Sequence, residues 1–521
     1  MPWVLVVLLV GPLATIVACV VVPTAVARAL SLVAGSLCFA LSLVLVGHPS
    51  ASALGGWLFS DPLSVTFVVP TAFLYLTTVV FSIGYLHPSG DALARRRYER
   101  RFWVGINIFA WTMVMAPLID GLALLWVAIE ITTVVSALLV ALDDTPGATE
   151  AAWKYVLIAS MGLGIALVAT IVMYYAGSTV LGGGSELFYP KLIEAAGRFP
   201  GQVTKLAFVL AVVGFGTKMG LVPMHTWLPD AHSEAPTPVS ALLSAALLAI
   251  CFYAILRYYQ VTERAVGPGF PREVLLAFGF ASLLLAALSV AVQRDVKRLL
   301  AYSSVEHMGV LCIGMSFSAP LAIVGVLLQV YGHAAAKGTA FFGAGSVMRK
   351  FHSKDLVDIR GGATLLPWSG PLLVLAVLAL SAMPPFGIFR SEILIVAGGL
   401  STPADAAAAI LVALVTVAAM GLTWYVGRTL LGPLPGRPAQ AQLGRPDLGA
   451  AVPGTPEGAA ASAVAVTEGQ SGAGLARGEV SWWIVGSMLA GMAALVLLGV
   501  HPPAALDTLF HRTVAELEVS R

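Results

Sequence analysis

Ionisable side chains stand inside five apolar stretches of this chain. Glu130 lies in LLWVAIEITTVV, Lys218 in VGFGTKMGLVP, and Glu306 with His307 in AYSSVEHMG. His333 and Lys337 lie in LLQVYGHAAAKGTAFF, and Arg390 with Glu392 in PPFGIFRSEIL. A charged group at the centre of a bilayer costs about 2.5–3.5 kcal/mol even on the lenient insertion scale. Carrying a cation through the membrane is the chemistry that such groups can do. Gln329, His333 and Lys337 recur every four residues and so form one polar stripe on a helix, suited to a file of water. Burial makes a lysine less basic and a nearby carboxylate makes it more so, so a moving acid can load and unload it near neutral pH. Histidine does the same with less perturbation.

Each group also has a structural reading. Glu130 could neutralise Lys218 as a packing salt bridge, although apolar replacements of buried pairs usually stabilise as well or better. His307 or His333 alone could be an interhelical hydrogen bonder, Arg390 a snorkelling cation, and Glu306 the cap of a wet cavity. Five helices that each donate such a group favour transport. A metal site is not expected, because His307 and His333 stand on different segments without a carboxylate cluster or cysteine ligands.

The elements that must position these residues follow from composition. Of 521 residues 58% are hydrophobic and 11% are charged. A soluble chain of this length needs about twice that charge, so the surplus apolar surface is expected to face lipid. The net charge of +2 gives no field toward nucleic acid. Cys19, Cys38, Cys251 and Cys312 lie in apolar runs without C-x-x-C spacing, so no disulfide framework, zinc site or iron–sulfur cluster is expected, and no cofactor in this chain. The apolar N-terminus lacks a basic n-region and an A-x-A site and reads as a retained helix.

A window of about 20 apolar residues gives fourteen candidate spans, at 3–22, 29–47, 63–86, 103–119, 121–142, 154–177, 204–222, 238–256, 274–292, 299–317, 320–348, 366–400, 405–431 and 481–500. The fold class is therefore all-α and polytopic. The seventh span runs through Gly214, Gly216 and Gly220 into Pro223, and the twelfth is cut by Pro384, Pro385 and Gly387. Such breaks are tolerated at depth only in protein-lined or wet surroundings. Two of them, five helices apart and each beside a charge, predict an inverted repeat with function at the breaks.

Loop charge sets the orientation. Arg28, the run Arg95, Arg96, Arg97, Arg100 and Arg101, and then Lys154, Arg294, Lys297, Arg298, Arg349, Lys350, Lys354, Arg360, Arg428, Arg437, Arg445 and Arg477 fall on one side. Lys191, Arg198, Lys205, Arg257, Arg264, Arg272, Arg512 and Arg521 fall on the other. The richer side is expected to be cytoplasmic, with both termini outside. Residues 184–200 are weakly amphipathic and suit the interface. Residues 432–478 are rich in Gly, Pro, Ala and Gln and read as a disordered cytoplasmic loop.

Two long motifs, PMHTWLPDAHSEAPTPVSALLSAALL (223–248) and VQRDVKRLLAYSSVEHMG (292–309), resemble the antiporter-like proton-pumping subunits of respiratory complex I. The wider family includes Mrp cation/proton antiporters and membrane-bound [NiFe] hydrogenases. The resemblance covers roughly 60–430. SSVEHMG, WVAIEITTVVSALLVAL and EAAWKY are most like the membrane subunits of the hydrogenase-4 or formate hydrogenlyase type.

The resemblance implies fourteen helices with two inverted five-helix repeats and broken helices seven and twelve. On this chain that gives a three-helix segment and basic loop at 1–102, a first repeat at 103–257, a second at 258–431, the loop at 432–479 and a last helix with a short tail at 480–521. It implies that Glu130 and Lys218 form a modulating ion pair, that His333 and Lys337 are central stations, that His307 is a polar position of the tenth helix, and that Glu392 is the terminal acid near the external exit. Where complex I members carry a bridging lysine in the eighth helix, this chain has Ala249, so the link must use water, His307 or Glu306, or follow an altered route. Asp230, His232 and Glu234 of the PDAHSEAPTP loop are candidate proton-entry residues, or the loop's prolines and Trp227 simply lock it in place.

The function implied is a proton-translocating, non-redox subunit of a redox-driven complex in a prokaryotic cell membrane. Its partners would be other integral membrane subunits and peripheral subunits carrying Fe–S or NiFe centres. The alternative is a Na+/H+ antiporter subunit of an Mrp-type exchanger. A structural anchor whose channel has decayed is the third reading, made credible by Ala249.

Overall fold

A computed structural model describes residues 1–87, 90–182, 187–432 and 476–517. Most of the expected loop at 432–478 lies outside the described residues. The helices in chain order are α1 (Pro2–Val21), α2 (Thr24–Gly47), α3 (Pro62–Tyr85), α4 (Ala92–Met115), α5 (Leu122–Val140), α6 (Pro146–Leu181), α7 (Tyr189–Ala195), α8 (Gly201–Met219), α9 (Trp227–Glu234), α10 (Thr237–Leu242) and α11 (Leu248–Val266). They continue as α12 (Gly269–Val290), α13 (Val296–Phe317), α14 (Pro320–Phe351), α15 (Gly362–Leu365), α16 (Ser369–Leu380), α17 (Gly387–Leu400), α18 (Asp405–Leu430), α19 (Trp482–Val500) and α20 (Ala504–Leu517). One small antiparallel hairpin, Ala51–Ala53 with Leu58–Ser60, joins α2 to α3.

Among the described residues twelve helices are long and apolar enough to cross a membrane. Two of the fourteen expected spans fall outside that count. Segment 299–317 lies in α13, which is long enough but carries Glu306, His307 and a run of serines. Segment 366–400 is divided into α16 and α17 around Pro384 and Pro385. Residues 238–256 belong to a longer run, in which a π-helical turn at Leu243–Leu247 joins α10 to α11.

Local signals explain where the helices start and stop. Asp61 accepts from the backbone N–H of Ser64 at 2.7 Å and, with Pro62 in the first turn, opens α3. Asp295 opens α13 by accepting from Lys297 N–H at 2.7 Å and Arg298 N–H at 3.0 Å. α8 ends at Gly220, whose φ of 83° is left-handed and which lies against Leu228. The chain then turns into the short α9, so the seventh segment is broken at Gly220 and Pro223, while Gly214 and Gly216 stay inside α8.

Packing sorts the helices by depth. The stretch 237–263 is buried throughout, whereas most of α18 is exposed or half-buried. Leu138, Met161 and Met420 are exposed, as apolar surface facing lipid should be. α12 and α13 approach closely because Gly279 and Gly309 face each other, each within 3.0 Å or less of the other's carbonyl oxygen if it carried a Cβ.

The two ends of the bundle differ in chemistry. At the arginine-rich end, Lys154, Arg298 and Lys354 converge on α9. At the opposite end, the fully buried Arg257 donates to Asp61 at 2.7 Å, Ser64 at 3.0 Å, Tyr253 at 2.9 Å and Gln260 at 3.1 Å. The amphipathic α20 closes this end: Glu516 accepts from Leu63 N–H at 3.2 Å and Thr513 pairs with Thr66 at 3.1 Å. α7 packs here too, with Tyr189, Leu192 and Ala195 buried, so the part of the expected interfacial segment at Tyr189–Ala195 is partly internal.

Candidate functional site

The expected ionisable residues fall into three groups. The first joins α5, α6 and α8. The Lys218 ammonium donates to the carbonyl of Ile129 at 3.1 Å and to the Thr133 hydroxyl, and lies 5.9 Å from the centre of the Tyr155 ring. Glu130 accepts from Ser160 at 3.5 Å through Oε1, while its buried Oε2 has no protein partner. The expected Glu130–Lys218 ion pair is therefore not in direct contact. Lys218 instead rests on the α5 backbone one residue away, although Glu130 still lies within electrostatic reach of it. A lysine at the end of α8, next to the break, finds carbonyl and hydroxyl acceptors before it finds the carboxylate.

The second group joins α13, α14 and α17. The Gln329 amide donates to His307 Nδ1 at 3.1 Å and to Glu392 Oε1 at 3.4 Å, and accepts from the Ser391 hydroxyl. His307 Nδ1 and Glu392 Oε1 are 4.0 Å apart. The His307 and His333 rings are 5.4 Å apart and inclined at 66°. One turn on, Lys337 donates to the Leu300 carbonyl at 2.8 Å and to the Ser303 hydroxyl. The polar stripe read from Gln329, His333 and Lys337 thus faces α13, and α17 brings Glu392 to its far end.

Orphaned polar atoms run through this group. His307 Nε2, both nitrogens of His333 and Glu306 Oε2 are buried without a protein partner. Such atoms are uncommon in proteins and are usually satisfied by internal water. Glu306 is 1% exposed and lies within electrostatic reach of both Lys337 and Glu392. Arg390 is half-buried and forms no ion pair among the described residues.

The third group is the loop over the arginine-rich end. Asp230 pairs with Lys154 at 3.3 Å and Arg298 at 3.2 Å, and Glu234 pairs with Lys354 at 2.6 Å. His232 is buried between them, stacked 5.4 Å from the Phe341 ring, with both nitrogens unpartnered. The Lys297 ammonium reaches the Ala235 carbonyl at 2.5 Å. Here Asp230 and Glu234 are held at the rim, and His232 lies inside, within electrostatic reach of Lys337 and Lys297.

Sequence reasoning missed the hydroxyls in and beside these groups: Thr133, Ser160, Ser303, and Ser244 with Ser304, which are 2.6 Å apart. The serine run before Glu306 was a usable signal for two of them. The π turn that carries Ser244 toward α13 has no signature in the sequence. Ala249, where a lysine was expected, follows that turn and is buried.

Comparison with known proteins gives the context. The family described as NADH:quinone oxidoreductase/Mrp antiporter, TM, matches residues 120–420. A hydrogenase-4 component F homolog of Methylacidiphilum infernorum is 33% identical over 375 residues, covering 70% of this chain and 76% of that protein. The hydrogenase-4 component B of Escherichia coli is 29% identical over 348 residues, covering 64% of this chain and 49% of that protein. A chain of the membrane-bound sulfane sulfur reductase, an archaeal respiratory membrane complex, shares the fold with a TM-score of 0.80 at 18% identity, over 99% of this chain and 97% of that one. The chain belongs to the NADH:quinone oxidoreductase/Mrp antiporter family of polytopic, antiporter-like membrane subunits.

Proposed function

We propose that this subunit carries protons across a prokaryotic cell membrane within a redox-driven complex of the hydrogenase-4 or complex I kind. Electrons would be handled by peripheral Fe–S or NiFe subunits. The observation that carries the reading is the cluster of His333, His307, Gln329 and Glu392, buried across three helices and ending one turn from Lys337, with His333 and His307 in ring contact and Gln329 bonded to His307 and Glu392. A line of acids, bases and orphaned nitrogens is what stepwise proton transfer needs.

In this reading the arginine-rich end is cytoplasmic, both termini are external, and residues 103–257 and 258–431 form two inverted repeats. Asp230 and Glu234 collect protons at the rim, and His232 passes them inward. Lys337 takes up a proton and releases it through His333 and His307, and Glu392 passes it outward. Gln329 holds no proton itself; it fixes the spacing of His307 and Glu392. Glu306, within reach of Lys337 and bearing a free carboxylate oxygen, does the bridging that Ala249 cannot. Glu130 and Lys218 act as the switch. The ammonium would alternate between the Ile129 and Thr133 acceptors and the Glu130 carboxylate.

The test is proton uptake into proteoliposomes by the whole complex, driven by its electron donor. Glu130→Gln, Lys218→Ala and Lys337→Ala should each lower protons moved per electron at least tenfold while electron transfer persists. Unchanged pumping in all three would falsify the route. Sodium uptake that follows the same three substitutions would instead identify the Mrp-type exchange.

A further inference from the structure

A crevice of about 1430 Å³ opens between α12, α13, α17 and α18. Its walls are apolar, with Ile393 and Val396 of α17 facing Leu411, Val415, Met420 and Trp424 of α18. Glu392 lines it as well, so the crevice reaches the end of the buried axis. Arg360 and Arg428 line the same crevice, and the backbones beside them are joined, the Gly361 N–H donating to the Thr429 carbonyl at 2.8 Å. Among the described residues neither guanidinium has a carboxylate or hydrogen-bond partner. The nearby Asp358 is engaged by the Ser353 hydroxyl at 2.7 Å.

Two guanidinium groups that line one crevice without a carboxylate partner among the described residues suit an anion. The guanidinium fork matches a phosphate, which takes two parallel N–H donors from each arginine. The apolar volume beside them exceeds the roughly 300–1,000 Å³ of ordinary small-ligand pockets. An apolar crevice with a two-arginine cap suits a molecule with a phosphate at one end and hydrocarbon chains at the other. A neighbouring apolar helix would fill the walls but leave both cations unpaired.

We propose that this crevice binds an anionic phospholipid, with its phosphate on Arg360 and Arg428 and its acyl chains between α17 and α18, where they cover Glu392. The binding claim stands without the proton route; only the covering of Glu392 rests on it. Two cations at the membrane surface, each contributing about a factor of five to anionic-lipid binding, give a preference of about thirtyfold for anionic over zwitterionic lipid.

The experiment exchanges the purified complex into mixed micelles of phosphatidylglycerol and phosphatidylcholine and measures retained lipid by mass spectrometry. Wild type should retain phosphatidylglycerol about thirtyfold over phosphatidylcholine, and Arg360→Gln/Arg428→Gln should abolish the preference. Arg360→Lys/Arg428→Lys, which keeps the charge and guards against misfolding, should fall between. Equal retention of both lipids by wild type overturns the proposal, as does a double glutamine variant that retains phosphatidylglycerol like wild type. A photoreactive probe on a Met420→Cys variant should label lipid, since the four native cysteines are buried. Exclusive labelling of a neighbouring subunit also overturns it.

Discussion

Glu516 makes the docking of the C-terminal helix depend on pH. Burial pushes its carboxyl from the ordinary 4.5 up to about 8, aided by the charge of Asp61 and opposed by Arg257. When α20 lifts away the group returns to its ordinary value. Between about pH 4.5 and 8 the docked state therefore holds a proton that the undocked state has lost, and docking weakens as pH rises through that window. The gap, at about 1.4 kcal/mol per pH unit, bounds the whole effect at about 5 kcal/mol. From pH 6 to pH 8 alone the loss is about 2 kcal/mol, roughly a thirtyfold fall in protection. Hydrogen exchange of residues 504–517, expressed as protection factors so that the intrinsic pH dependence cancels, reads this directly. Glu516→Gln keeps an acceptor for the Leu63 N–H but cannot ionise, so its protection should be flat over the same range. Equal wild-type protection at pH 6 and pH 8, or a glutamine variant that still loses protection, would refute the reasoning.

Two further outcomes follow from packing. Arg257→Ala leaves Asp61 buried without its partner and should destabilise the protein by about 3–5 kcal/mol; denaturant titration in detergent measures it, and a loss under about 1 kcal/mol would mean that water replaces the guanidinium. Gly279→Val drives a side chain against Gly309 and Ile313, with a Cβ only 2.7 Å from Ile313. It should spread α12 from α13 and lower stability by about 1–3 kcal/mol, while Gly164→Val, at a site open to lipid, should change little.

The bilayer makes parts of this protein legible in one dimension. A spanning helix must satisfy its own backbone and show lipid an apolar surface, so α1 to α6 could be read as runs of hydrophobic residues. The breaks at Pro223 and Pro384 were visible because glycine and proline act locally. The five charged stretches stood out for the same reason, since each violates the composition around it. The i, i+4 spacing of Gln329, His333 and Lys337 placed them on one face before any fold was known.

What lies opposite that face could not be read, because it depends on how helices far apart in sequence are rotated against one another. Only packing brings Glu392 to Gln329, some sixty residues away, and leaves Lys218 on Ile129 and Thr133 rather than on Glu130. Only packing turns Ser244 toward Ser304 through a π turn, and only packing puts Arg257 and Glu516 into one buried cluster at the start of α3. Sequence fixes which side chains bear the cost of entering hydrocarbon, because that cost belongs to the residue and its immediate run. Tertiary structure decides which partners offset it, because hydrogen bonds and ion pairs need contacts of a few ångströms between distant segments.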